Sequence, residues 1–173
     1  MLLLAAAGAA VLCAQSMRRS PLSPLAQAYS ELGHGLTQAG LLPFATDDTT
    51  LQQTLETQRQ HGLKVVPTTT DTGQPVYQVG SVLTVITQDG RVTRYLLTPA
   101  NWSEQSGTPL GTALHHLAGL SLSSQHPVQL QNTASVPIYE QNFFFEYSQS
   151  GHTWRLTPQF EAQRCVRVDV EQE

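Results

Sequence analysis

From Val76 to Thr98 the chain alternates apolar and polar residues on both sides of Asp89-Gly90. Asp and Gly both tolerate the positive φ angles of a type I′ turn, and that turn matches the right-handed twist of paired strands. The stretch is therefore an antiparallel hairpin, with strands around Val76–Val79, Ser81–Thr87 and Arg91–Thr98. A second hairpin signal follows at Ser150-Gly151, between Phe143–Ser148 and Thr153–Thr157, and Cys165–Val170 reads as a closing strand. Val128–Gln131 also reads as a strand. Two hairpins impose antiparallel sheet on both halves of the chain.

Helical periods lie between these strands. Ser23 can cap a first helix with Pro24 at its first position, and Leu25, Ala28, Tyr29, Leu32 and Leu36 recur at three-to-four spacing along it. Gly33 and Gly35 weaken its middle, each by about 1 kcal/mol relative to Ala. A second helix fits Thr50 to His61, with Thr49 and Gln52 as a capping box, Leu51 and Leu55 as its apolar face and Gly62 as its stop. "LKVVP" then leaves as a short strand, and "TTTDTGQ" reads as a polar turn. Thr108 caps a third helix that carries Leu110, Ala113, Leu114 and Leu117 on one face and stops at Gly119.

The fold class read from this order is α+β: an N-terminal helix followed by two similar helix-plus-antiparallel-strand units. Residues 20–44 hold the helix, 45–100 the first unit, and 101–173 the second unit with its closing strand. Pro75-Val76-Tyr77, Gln88-Asp89-Gly90 and Leu97-Thr98-Pro99 answer in order to Pro137-Ile138-Tyr139, Gln149-Ser150-Gly151 and Leu156-Thr157-Pro158. Near-constant spacing is what an internal duplication leaves. Helix, glycine stop and hairpin are also common grammar, and Pro and Gly recur wherever turns do.

Met1 to Ala14 is apolar, shorter than the roughly 20 residues that span a bilayer. Residues 1–19 read as a signal peptide or short membrane anchor, with Ala14-Gln15-Ser16 as a cleavage site. No positive charge precedes the run; Arg18 and Arg19 follow it. A lipid anchor at Cys13 and a start at Met17 are the other readings. The expected location is extracytoplasmic, periplasmic or secreted, with any membrane contact made through this segment.

Composition narrows the function. Charged residues make up 13%, the net charge is −4, and Lys64 is the single lysine. Phosphate binding needs clustered Lys and Arg, so nucleic acid is not expected as a partner. There is no G-x-S-x-G, H-E-x-x-H, C-x-x-C or phosphate-cradling glycine loop. His115 and His116 are adjacent, and their side chains leave a helix about 100° apart instead of on one face. Cys165 alternates with apolar residues as a buried strand cysteine does. No catalytic, cofactor-binding or metal-binding residues are assigned, and no cofactor is expected.

The expected function is a non-catalytic protein-binding or assembly component, of the kind found in a bacterial envelope or secretion complex. The expected protein-binding residues are Phe144, Glu146 and Trp154. Phe143, Phe145 and Tyr147 should point to the core and Phe144 and Glu146 away from it, with Glu146 paired to Arg155 across the hairpin. The rival expectation is a small enzyme or ligand carrier with an apolar pocket under the sheet, and His115, His116 or Glu146 at its rim.

"GQPVYQV" followed by "QDGRVTRYLL" resembles the strand region of exported modules of the PepSY type. That resemblance covers about a third of the chain and implies tandem helix-plus-sheet units without catalysis. "TPLGTALHHLAGLSL" is similar, over one helix, to secretin-type N-domains.

Overall fold

The computed structural model of the chain describes residues 24–120 and 144–173. The apolar start, the strand expected at Val128–Gln131, the Pro137-Ile138-Tyr139 segment and Phe143 lie outside the described residues.

The elements run α1 (Pro24–Gln38), α2 (Asp48–Gln60), β1 (Val65–Thr69), β2 (Pro75–Val79), β3 (Leu83–Gln88) and β4 (Arg91–Leu97). A 3-10 helix (Pro99–Gln105), α3 (Pro109–Gly119), β5 (Phe145–Gln149), β6 (His152–Glu161) and β7 (Arg164–Gln172) follow. The strands form one seven-stranded antiparallel sheet in the order β1-β2-β3-β4-β7-β6-β5. The chain is thus mixed helix and sheet, as expected.

Alternation places the core on one face of that sheet. Val85, Tyr95, Val170, Leu156 and Phe145 stand opposite one another strand by strand, as do Leu83, Leu97, Val168 and Pro158. The helices supply the facing layer. Ala28, Tyr29, Leu32 and Leu36 of α1, Leu51 and Leu55 of α2, and Leu110, Ala113, Leu114 and Leu117 of α3 join the strand residues in a single buried cluster. Each fully buried Leu contributes about 1.5–3 kcal/mol.

The two glycines that weaken α1 earn their place here. A Cβ on Gly33 would collide with the Tyr147 ring, and one on Gly35 would lie 2.7 Å from Leu110 Cα. Their bare backbone lets β5 and α3 approach the helix. Tyr95 ties the α1–α2 connection to the sheet: its hydroxyl donates to Leu41 O at 2.6 Å. Val92 N donates to Ala45 O at 2.9 Å in the same region.

Several boundaries differ from the sequence reading. The α2 cap is Asp47, whose carboxylate accepts from Thr50 N at 2.8 Å, not the Thr49–Gln52 box. Asp47 lies two residues before the expected cap Thr49, and its carboxylate also takes the Thr50 hydroxyl at 2.9 Å. Part of the expected turn "TTTDTGQ" is strand, because β1 extends to Thr69 to pair with Pro75. The strand closing the fold turns back through Ala162 and Gln163, at φ 47 and 69. No glycine announces that turn.

The internal duplication is not confirmed. The two hairpin turns are alike, with φ 53 and 75 at Asp89-Gly90 and 51 and 80 at Ser150-Gly151. Their placement is not. Strands β4 and β6 both run antiparallel to β7, on its two sides, and β3 and β5 lie outside them. The hairpins are ordered as mirror images, so no rotation that keeps the same face on the core superposes them. Nor does each unit have its own helix on its own hairpin: α1 lies against β5, while α3 packs on α1 and the 3-10 helix.

Candidate functional site

The three residues singled out in the sequence do not share a surface. Trp154 is 1% exposed and belongs to the core, near Phe44 and Tyr147. Its register explains this, because Trp154 stands opposite Tyr147 on the helix side of the sheet. Its Nε1 has no hydrogen-bond partner among the described residues. Phe145 and Tyr147 also turn to the helices, as alternation predicts. Phe145 stacks on Tyr29 at 4.2 Å between ring centroids, and His34 meets Tyr147 edge-on at 5.6 Å.

Phe144 and Glu146 occupy the other face, which no described helix covers. The Arg155 guanidinium lies 4.2 Å from the centroid of the Phe144 ring, in a cation–π contact. Glu146 stands directly opposite Arg155 in the ladder. The expected Glu146–Arg155 ion pair is nevertheless not made. Arg155 instead donates from Nε and Nη2 to Glu173 Oε1, at 3.1 and 2.8 Å. The C-terminal end of β7 brings that carboxylate within a fork's reach, which the local spacing of the hairpin could not reveal.

Around these two residues the open face is organised in rows. Val76, Ile86, Arg94, Glu171, Arg155 and Glu146 form one row from β2 to β5. Gln78, Thr84, Leu96, Asp169 and Thr157 form the next. Arg94 pairs with Glu171, and Arg167 Nε donates to Asp169 Oδ1 at 2.9 Å. The β1–β4 half of the face is thus partly apolar, with Val66 at 41% exposure, and the β7–β5 half is ionic.

A second feature lies between α1 and α3. A groove of about 390 Å³ is lined by Gln27, Ala28, Glu31, His115, His116 and Leu120 among others. His116 Nδ1 is 2.7 Å from Glu31 Oε2 across it. His115 turns away to Trp102, ring centroids 4.2 Å apart. The adjacency of the two histidines thus has the consequence expected of it, since they face different partners. Sequence reasoning missed Glu31, which stands 85 residues from His116 with no periodic signal to join them. A histidine–carboxylate pair can hold a proton or supply two donors to a cation. Among the described residues no three His, Cys, Asp or Glu side chains gather closely enough to hold a metal ion.

Cys165 is buried in β7, and burial pushes its thiol up to about 11. Tyr29 OH lies 3.9 Å from its Sγ. Burial, followed by the neighbouring Cys165, raises the Tyr29 phenol well above its ordinary range. A thiol held protonated and covered is a poor nucleophile.

No family model, no curated protein and no solved structure matches this chain, so the PepSY-type and secretin-type resemblances gain no support. No helix among the described residues is long and apolar enough to cross a membrane.

Proposed function

We propose that this protein is a non-catalytic extracytoplasmic binding or assembly component that holds a protein partner on the open face of its sheet. The observation that supports the reading is that, among the described residues, helices cover the sheet on one side alone. Helices occupy one face, while Val66, Ile86, Leu96, Phe144 and a paired ionic stripe are presented on the other. A face that mixes apolar and guanidinium groups matches the make-up of protein interfaces, where aromatic residues and Arg are enriched. Membership of an envelope or secretion complex extends this reading, and the apolar residues 1–14 motivate it.

Site-specific photo-crosslinking tests the proposal. A photoreactive residue in place of Gln159, exposed on the open face, should capture a defined protein in native extracts. One in place of Gln60, exposed on α2, should not. Equal capture at both positions, or at neither, removes the reading. N-terminal sequencing of native material tests the location, because cleavage after Ser16 is the expected outcome of export.

A second reading rests on the Glu31–His116 pair: a small polar ligand in the α1–α3 groove. Ligand-induced stabilisation that disappears in His116→Ala would favour it over the first.

A further inference from the structure

Among the described residues the seven-stranded sheet ends on β1 and on β5, and the two edges are built differently. At β1, Gly80 N donates to Lys64 O and Thr70 N to Gln74 O, so the even-numbered residues turn their backbone groups to β2. Val65, Pro67 and Thr69 therefore face outward, and Pro67 has no N–H to offer. A proline at that position is a common guard against an added strand.

No such guard stands on β5. The two-residue turn at Ser150-Gly151 makes Gln149 and His152 the closing pair. Phe145, Tyr147 and Gln149 then direct their backbone groups to β6, while Glu146 and Ser148 direct theirs outward. Among the described residues β5 pairs with β6 alone. The side-chain row also stops short here. It alternates in sign through Arg94, Glu171, Arg155 and Glu146, and ends on an exposed carboxylate at the sheet edge. Arg155, the neighbour that could neutralise Glu146, is engaged by Glu173.

We propose that the outward edge of β5 accepts a strand from a protein partner, an extended segment that sets Lys or Arg beside Glu146 and apolar residues on the Tyr147 side. The proposal rests on the protein-binding reading above and specifies its geometry. Main-chain hydrogen bonds would provide affinity, and alternate side chains specificity. The added cation would continue the alternating row, since opposite charges directly across a ladder attract.

The test uses the full chain and two synthetic ten-residue peptides, one alternating valine with lysine and one alternating valine with glutamate. Amide exchange at Glu146 and Ser148 should be fast in the chain alone and slowed by the valine–lysine peptide. Ser148→Pro deletes an N–H that β6 does not use, so it should weaken binding by about tenfold or more with an unchanged circular dichroism spectrum. Glu146→Lys should reverse the preference toward the valine–glutamate peptide, and it carries the test if Ser148→Pro fails to fold. Protection of both amides in the chain alone would overturn the proposal, because another part of the chain would then cover the edge. Binding that neither substitution alters would overturn it as well. Capture from position 159 that persists in Ser148→Pro would remove strand addition while leaving the protein-binding reading intact. Loss of all capture in the unsubstituted chain would remove both.

Discussion

Tyr95 shows how one side chain holds two layers together. Its ring is fully buried, and its hydroxyl is bonded to Leu41 O. Tyr95→Phe keeps the ring and leaves that carbonyl without its donor, so chemical denaturation should report a loss of about 1–3 kcal/mol. Gly33→Ala acts through space instead. The new methyl would meet the Tyr147 ring, and α1 or β5 must shift to admit it. The expected cost is about 1–3 kcal/mol, with the near-ultraviolet signal of the aromatic cluster altered. Cys165 supplies a pH dependence. Its folded-state pKa is raised from 9.0 to about 11 by burial, so the unfolded chain releases this proton first as pH rises. The contribution is fully present below pH 9 and is lost between there and about 11; Tyr29, also raised by burial, adds to the same alkaline loss. Unfolding measured from pH 8 to 11 should show stability falling, and Cys165→Ala should flatten the decline. A flat profile in the unsubstituted chain would contradict the assignment.

At the level of elements, ends and turns decide which boundaries the sequence reveals. Thr108 serves two elements: its hydroxyl donates to Gln105 O at 2.6 Å and accepts from Gly111 N at 3.1 Å. It therefore closes the 3-10 helix and opens α3, and Thr108→Ala should cost about 1 kcal/mol in thermal or chemical melts. The β6–β7 turn is the opposite case. Ala162 and Gln163 occupy left-handed conformations at φ 47 and 69 without the residues that favour them. Replacing the pair by Asn-Gly should stabilise the protein by about 1 kcal/mol, with the β6–β7 register unchanged. A loss of stability would mean that those side chains make contacts which outweigh the relief of the backbone.

For the molecule as a whole, one buried cluster draws residues from both units that the sequence suggests. Leu51, Val85 and Tyr95 share it with Leu114, Trp154 and Val168. Strands β4 and β7 further join the units through four paired positions, from Arg94↔Glu171 to Leu97↔Val168. Calorimetry should therefore show a single unfolding transition whose calorimetric and van't Hoff enthalpies agree. Two resolved transitions would mean that the units fold independently.

What the sequence determined by itself is local. Alternation around Asp89-Gly90 and Ser150-Gly151 specified both hairpins, and the three-to-four spacing of Ala28, Tyr29, Leu32 and Leu36 specified the buried stripe of α1. These are consequences of dihedral preference and period within a few residues. Tertiary structure decided the rest: that β7 inserts between β4 and β6, that Trp154 is core, that Arg155 turns to Glu173 instead of Glu146, and that Glu31 meets His116. Those outcomes depend on which distant surfaces bury one another. No local spacing encodes that choice, because hydrophobic burial has neither direction nor sequence range.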